Sequence, residues 1–257
     1  MTTFPLRRFA LALVSTLLLG GCAHHASPAQ LGPDALYQQA MEAYRAGKNG
    51  RAIQLLDEFL RAHVGDPRAP SARMTLGRAH MARKEYILAA GEFTRLINES
   101  PPDSLQRTAR FEICESYMRL SPKPQLDQEY TTGALAHCES IGTYYPGTPE
   151  AERAGRWVGE LQQKLAQKSY DTGLFYMKRG AYDAAVIYFN ETVQQYPRTS
   201  VAPAALLRLV ESYRTIGYKE EAEEARTRLV RDYPQSAEAK SPLLQQPQPA
   251  VASNPTG

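Results

Sequence analysis

A spacing of twelve residues recurs along the chain and limits what it can fold into. Gly173, Ala185 and Pro197 are separated by twelve residues each, and the same interval recurs elsewhere. A small residue on one helix is expected to face a small residue on the next, so that the two backbones approach closely. Proline then ends the second helix, because it lacks an N–H and clashes with the preceding turn. The further sets are Gly77–Ala89–Pro101, Val210–Ala222–Pro234 and Ala134–Pro146.

A period of about 35 residues built from helix pairs is the signature of the tetratricopeptide repeat. The sequence therefore predicts an all-α fold, a tetratricopeptide-repeat superhelix (an α-solenoid) of about five helix pairs. Each repeat of such a fold contacts mainly its neighbours, so the core is a continuous seam. Repeats 1–3 are expected in residues 34–148. A long connecting helix and repeats 4 and 5 are expected in residues 149–236.

Three segments depart from the regular pattern. Ser121–Leu126 reads as an inserted loop with two prolines in the third repeat; it either carries binding contacts or is a plain connector. Glu150–Lys178 contains no proline and only isolated glycines, which predicts one long helix or two nearly coaxial helices. Residues 237–257 are expected to be disordered, because from Ser241 onward they are mostly Pro, Gln, Ala and Ser.

The first 22 residues predict export and a lipid anchor. Two arginines precede an apolar run, Phe9–Leu19, which is too short to span a bilayer and has the proportions of a signal-peptide core. The run ends in Leu19-Gly20-Gly21-Cys22, which looks like the lipobox of bacterial lipoproteins; an ordinary signal peptide with a chance cysteine is the alternative. A lipobox implies a signal peptide over residues 1–21 and acylation of Cys22. Residues 22–33 would then be the lipidated cysteine and a flexible tether.

Charge and motif content argue against nucleic-acid binding and against catalysis. The formal net charge is +3, and removal of the two arginines of the signal peptide lowers it to +1. Nucleic-acid binding requires a clustered basic surface, so protein partners are the default expectation. The sequence has no nucleophile–base motif, P-loop or run of metal ligands. We therefore expect no enzyme activity, no cofactor and no metal site.

Two further cysteines fall in the predicted third repeat. Cys114 and Cys138 lie on its two helices, near the facing small-residue positions. An exported protein enters an oxidising compartment, in which disulfides form and persist. The pair is therefore either a disulfide or two buried thiols, and the sequence leaves both open.

In this order, the features resemble the BamD family, the tetratricopeptide lipoproteins of the outer-membrane β-barrel assembly machinery. The resemblance covers the lipobox and about residues 35–236. Besides the lipobox and the repeats, it is carried by DQEYTTGA (Asp127–Ala134). It is also carried by Leu165-Ala166, Phe175-Tyr176, Arg179-Gly180-Ala181-Tyr182 and Ala184-Ala185. A YP-x-[TS] motif ends three repeats, at Tyr145–Thr148, Tyr196–Thr199 and Tyr233–Ser236.

This resemblance implies a non-enzymatic lipoprotein at the periplasmic face of the outer membrane. It would scaffold a BamA-like barrel-forming subunit beside other assembly lipoproteins, and it would bind segments of unfolded outer-membrane proteins for insertion. A pilotin-like or cell-envelope scaffold lipoprotein is the alternative. Such a protein would share the lipobox and the repeats, but it would need neither the long helix nor the RGAYDAA turn.

Position and residue type indicate where these partners would bind. Tyr37 and Tyr44 would line the amino-terminal part of a concave groove for an extended substrate. The resemblance also shows two departures: many relatives have an acid at the place of Ser169, and many have Arg at the place of Tyr188. Core packing is the alternative role for Tyr176. The residues expected to hold the barrel-forming subunit are Tyr176, Arg179, Tyr188 and Arg208.

Overall fold

The computed structural model describes residues 31–245, most of which are α-helical. The signal peptide, Cys22 with most of the tether, and residues 246–257 lie outside this range. Between residues 31 and 245 there are ten α-helices and no strand, which confirms the predicted all-α fold. The helices are α1 (Pro33–Arg45), α2 (Asn49–Ala62), α3 (Ala69–Ala82), α4 (Tyr86–Asn98), α5 (Asp103–Leu120), α6 (Glu129–Tyr144), α7 (Pro149–Met177), α8 (Tyr182–Gln195), α9 (Ala202–Ile216) and α10 (Lys219–Asp232).

The ten helices form five successive pairs, from α1/α2 to α9/α10, and each helix packs on the next in the chain. The first helices of successive repeats also contact one another, α1 with α3, α5 with α7 and α7 with α9. Within the described range, second helices of successive repeats make at most slight contact. Elements on the inside of a curved stack lie closer together than those on the outside. The first helices therefore line the inner face of the solenoid.

A phenylalanine, not a second small residue, fills the space beside two of the small residues. A Cβ atom on Gly77 would lie 2.4 Å from Phe93 Cε1, and one on Gly173 would lie 2.5 Å from Phe189 Cε1. Both phenylalanines are fully buried. At these two repeats the atoms nearest to the glycine therefore belong to a phenylalanine and not to the small residue twelve positions later. The closest partner stands sixteen positions later, one helical turn beyond the second small residue.

The YP-x-T motif ends one helix and begins the next. Thr148 Oγ1 donates a hydrogen bond to the carbonyl oxygen of Tyr145, 2.8 Å away, and accepts one from the Ala151 amide at 3.3 Å. Thr199 makes the same 2.8 Å bond to Tyr196. One hydroxyl thus satisfies a carbonyl at the end of a second helix, and in the case of Thr148 also an amide at the start of the following first helix.

The segment expected to be one long helix or two coaxial ones is a single helix, α7, of 29 residues. Its first half contributes Ala154 and Leu161 to a buried cluster with the helices of the third repeat. Its second half packs on the cluster formed by the fourth and fifth repeats, where Gly173 receives Phe189. One unbroken helix therefore belongs to both halves of the hydrophobic core.

The inserted loop of the third repeat is held against α7. Lys164 Nζ donates to Ser121 Oγ at 2.7 Å and to the Ser121 carbonyl at 3.3 Å. Lys168 Nζ donates to the Gln125 carbonyl at 3.1 Å. The loop is closed on its other side by Gln128, whose amide nitrogen bonds two loop carbonyls. These bonds give the loop a defined place on the long helix.

The prediction that the chain is disordered from residue 237 is wrong for residues 237–245. Two short 3₁₀ helices form there, Glu238–Lys240 and Pro242–Gln245. Leu244 is buried in the cluster of the last repeats, and Arg214 Nη1 donates to the Leu243 carbonyl at 2.6 Å. The prediction relied on the overall composition of the tail, which gave no weight to its two leucines. They cover apolar surface of the fifth repeat.

Candidate partner-binding surface

Three aromatic rings meet where the second half of α7 packs on α8. The rings of Tyr176 and Tyr188 are stacked, with centroids 5.4 Å apart and planes only 5° from parallel. Phe175 stands edge-on to Tyr176, again with centroids 5.4 Å apart. Phe175 is 48% exposed, although it is a large apolar residue on a well-packed helix. Tyr176 and Tyr188 are half-buried, so the cluster is open to a partner on one side.

Arg179 completes this cluster. Its guanidinium carbon lies 3.5 Å from the centroid of the Phe175 ring, and Nη1 donates to the Phe175 carbonyl at 3.4 Å. Phe175 and Arg179 are four residues apart in sequence and so share one side of the helix at its end. A cation over an aromatic ring is attracted by the electrons of the ring face. We call Phe175, Tyr176, Arg179 and Tyr188 the aromatic patch.

The hydroxyl of Tyr188 remains protonated at neutral pH. The neighbouring Tyr176 is the main cause that raises the pKa of Tyr188, and partial desolvation adds to it. The patch therefore offers ring faces, phenolic hydroxyls and one guanidinium. Aromatic residues and arginine of this kind are enriched among the residues that dominate binding at protein–protein interfaces.

Arg208, predicted to belong to the same surface, makes its contacts elsewhere. Its Nη1 lies 2.6 Å from Glu211 Oε2, one turn further along α9. Partial burial disfavours the charge of Arg208, but hydrogen bonds to Glu211 and Tyr170 raise its pKa above the usual value. The contacts of Arg208 therefore stabilise the packing of α9 on α7, and none of them reaches the aromatic patch.

The two departures from the family pattern are in contact with each other. The Ser169 hydroxyl lies 3.1 Å from the Tyr188 carbonyl oxygen and 2.8 Å from Glu191 Oε2. Ser169 is buried on α7, directly behind the patch. Any change in the residue at position 169 therefore reaches the backbone that carries Tyr188. The sequence alone could not show this proximity, since the two residues lie on different helices.

Tyr37 and Tyr44, predicted to line the substrate groove, both lie on α1 and are half-buried. Tyr37 packs on the buried Phe59 at 5.3 Å, and Arg68 covers its ring at 5.1 Å. Tyr44 packs against the same cluster. Both rings thus have a packing role in the first repeat, and each is partly exposed.

Flexible side chains occupy the place of Tyr44 in the following repeats. Tyr44 stands four residues after the small residue of its first helix. The same count in the other four repeats reaches three methionines and one arginine, all half-buried on first helices. Methionine is unbranched and adapts to irregular apolar surfaces. These residues are Met81, Met118, Met177 and Arg214.

Cys114 and Cys138 form a disulfide in the structure, with both cysteines buried. Cys22 lies outside the described residues. Between residues 31 and 245, no three His, Cys, Asp or Glu side chains are grouped so that they could hold a metal ion. No helix in this range is both long enough and apolar enough to cross a bilayer.

Five helix pairs, with an inner face lined by the first helices, define a tetratricopeptide-repeat protein. More particularly, the chain belongs to the YfiO family of outer membrane lipoproteins, whose pattern matches residues 29–229. The family pattern thus includes every helix pair described above, except for the end of the last helix.

Several characterised relatives are called outer membrane protein assembly factor BamD. The chain is 29% identical to the one from Caulobacter vibrioides over 187 residues, which cover 73% of this chain and 61% of that protein. It is 27% identical to the one from Rickettsia prowazekii over 226 residues, 87% of this chain and 90% of that protein. The chain therefore spans less than two thirds of the first relative and most of the second.

Solved tetratricopeptide-repeat structures resemble this fold more distantly. A repeat protein from Bacteroides fragilis is 13% identical and covers 83% of this chain and 96% of its own, with a TM-score of 0.45. One from Parabacteroides merdae is 15% identical and covers 79% of this chain and 68% of its own, with a TM-score of 0.37.

Proposed function

We propose that this protein is a non-enzymatic lipoprotein component of the outer-membrane β-barrel assembly complex. It is anchored through Cys22 at the periplasmic face of the outer membrane. It scaffolds the barrel-forming subunit and binds segments of unfolded outer-membrane proteins. The observation that carries the proposal is the family match, which spans nearly the whole solenoid. The relatives' common name, outer membrane protein assembly factor, is consistent with it.

The aromatic patch is the proposed contact for the barrel-forming subunit. It is exposed, it combines three rings with a guanidinium, and it lies on the rigid junction of α7 and α8. Burial of such a cluster supplies a large contact area at a small cost in side-chain entropy. Arg208 contributes to this contact through the position of α9 rather than by touching the patch.

The inner face of the first three repeats is the proposed substrate groove. Tyr37 and Tyr44 lie at its amino-terminal end, and the methionines at equivalent positions continue it. Unfolded outer-membrane proteins have varied sequences, so a groove for them has to adapt to different side chains. Methionine and tyrosine, half-buried along an inner face, meet this requirement.

The experiment is a pull-down of tagged, full-length protein from its own envelope in mild detergent, with the bound proteins identified by mass spectrometry. Three variants accompany the unaltered chain: Tyr188→Ala, Tyr188→Phe and Tyr144→Ala. Tyr144 is a partner-accessible tyrosine, 63% exposed, that lies on α6, away from the patch, and so serves as the control. Truncation of a central interface tyrosine typically costs about 2 kcal/mol, which is a roughly 30-fold loss of affinity.

We expect the unaltered chain, Tyr144→Ala and Tyr188→Phe to recover a large outer-membrane barrel subunit, and Tyr188→Ala to lose most of it. Recovery of a secretin or of cell-wall enzymes without that subunit would overturn the proposal in favour of the pilotin-like alternative. Equal recovery by Tyr188→Ala would leave the assembly role intact but remove the patch from it. The melting temperature of each variant shows whether lost binding reflects lost folding.

A further inference from the structure

The turn between α2 and α3 differs from the matching turns of the other repeats. Twelve residues after the small residue of the second helix, repeats 2–5 have proline, whereas the first repeat has Val64. The Val64 side chain is 89% exposed, the largest fraction among the exposed large apolar residues between residues 31 and 245. We call residues 63–67 the Val64 turn.

The backbone does not require valine at this place. His63, which precedes it, has φ −124° and ψ 58°. Tyr196, which precedes a proline in the fourth repeat, has φ −127° and ψ 52°. The turn therefore has the conformation that accepts proline elsewhere in the same chain. The local backbone therefore does not account for the exposed β-branched apolar residue at this position.

The Val64 turn lies at the end of the molecule where the tether enters. Arg68 bridges the two: its Nη1 donates to Asp34 Oδ1 at 2.8 Å, and its Nη2 donates to Asp66 Oδ2 at 2.7 Å. Asp34 is the second residue of α1, and Asp66 lies within the Val64 turn. The first described residue, Leu31, packs on the cluster of the first repeat beside them.

A cleft with mostly apolar walls opens next to Val64. It has a volume of about 380 Å³, and Leu60, Pro67 and Pro70 form part of its lining together with Val64. The ion pair of Arg73 and Glu99, 2.7 Å apart, also lines the cleft. The surface at this end of the first two repeats therefore consists of apolar side chains and an ion pair without net charge.

The tether limits how far this end can be from a membrane. Leu31 is nine residues after Cys22, and a chain extends at most about 3.6 Å per residue, which allows roughly 30 Å. The opposite end of α2, at Lys48, is about 20 Å further along a helix of 14 residues. An acylated Cys22 would therefore limit the end that carries the Val64 turn to roughly 30 Å from the lipid, whereas the opposite end of α2 could lie about 20 Å further away.

We propose that the Val64 turn and its cleft are a membrane-contact site, which takes the lipid surface of the bilayer that holds the anchor. The inference rests on the acylation of Cys22 in the proposed function, but not on the assembly role. The occupant is lipid because the short tether places bilayer, rather than any particular protein, within constant reach. The anchor already supplies the local concentration, so a small apolar contact suffices to orient the solenoid.

The test places a tryptophan at each end of the same helix in the full-length, acylated protein. Val64→Trp and Lys48→Trp are each combined with Trp157→Phe, which removes the only native tryptophan. Each protein is reconstituted into phosphatidylethanolamine–phosphatidylglycerol vesicles with and without brominated acyl chains, which quench nearby indole fluorescence. We expect roughly half of the fluorescence to be lost at position 64, and almost none at position 48.

Equal quenching at both positions, or none at either, would overturn the proposal. Intact mass spectrometry of the same samples reports the acyl chains on Cys22. Their absence would remove the proposed anchor and this inference together, whereas their presence without quenching at position 64 would remove only this inference.

If Trp157→Phe does not fold, hydrogen exchange of the Val64 turn on vesicles replaces the fluorescence. Protection in the unaltered chain and its loss in Val64→Asp is then the expected result, and equal exchange in both refutes the proposal.

Discussion

Removal of the disulfide between Cys114 and Cys138 should destabilise the solenoid. The loss in free energy of unfolding depends on the length of the loop that the disulfide closes. The two cysteines are 24 residues apart in sequence. Closing a loop of this length removes about 3.5 kcal/mol of chain entropy from the unfolded state at 25 °C. We expect Cys114→Ala with Cys138→Ala to lower the free energy of unfolding by about this amount. Urea unfolding, followed by circular dichroism at 222 nm, measures it.

The other repeats suggest how to replace the bond. Cys114 stands at the place of Gly77 and Gly173, and Cys138 stands at the place of Phe93 and Phe189. The third repeat therefore has a covalent bond where the second and fourth have a phenyl ring against a glycine. The pair Cys114→Gly with Cys138→Phe should rebuild that contact without any oxidation.

The rebuilt pair should recover part of the loss. A buried phenylalanine contributes about 3 kcal/mol relative to alanine, and glycine within a helix costs about 1 kcal/mol. We therefore expect the rebuilt protein to be about 2 kcal/mol more stable than the double-alanine protein. All proteins carry Cys22→Ser so that no third thiol interferes.

Two results would refute this reasoning. If the double-alanine protein loses less than about 1 kcal/mol, the bond does not restrict the unfolded chain as supposed. If the rebuilt pair is less stable than double alanine, then the third repeat does not share the packing of its neighbours. A reducing agent provides an independent check: it should weaken the unaltered protein and leave the rebuilt one unchanged.

Two further predictions concern packing and pH. Gly173→Ala should destabilise the protein by about 2 kcal/mol in the same urea assay, because its Cβ would overlap the Phe189 ring; Gly159→Ala on the same helix, with nothing within 4 Å, should be neutral or stabilising. Hydrogen bonds from Arg68 lower the pKa of Asp66 from 3.8 to about 2, so the stability from this pair is fully present above pH 4 and is lost as the pH falls towards 2. Asp66→Asn should therefore flatten the decline of the melting temperature between pH 4 and 2, and an unchanged decline would contradict the assignment.

The periodicity of the sequence was sufficient to predict where the helices lie, but not which side chains they bring into contact. The spacing from Gly173 to Pro197 located a helix pair, and the missing prolines after Glu150 located the long helix. Neither could show that Phe189, rather than Ala185, lies against Gly173, because a period fixes which residues are equivalent and not which of them fills a gap. That assignment depends on the distance between the helix axes, which only the packed structure sets.

The candidate site was predicted only in part, again because the sequence does not show which side chains touch. Tyr176 and Tyr188, both predicted to hold the barrel-forming subunit, lie against each other, which the sequence did not show because they are on different helices. Phe175 was not among the predicted contact residues, because a phenylalanine on a helix is usually buried. The role predicted for Arg208 stays a prediction; the sequence showed its position on α9 but not its ion pair with Glu211. The ordered part of the tail at Leu244 was not predicted. The composition of the whole segment suggested disorder, whereas two leucines within it are enough to pack on the fifth repeat.

The unbroken course of α7 has a mechanical consequence. Its 29 residues extend about 43 Å, and its two ends are embedded in different clusters of the core. A force on the fourth repeat, such as the pull of a moving partner, would be transmitted along α7 to the third repeat, because the helix has no hinge between them.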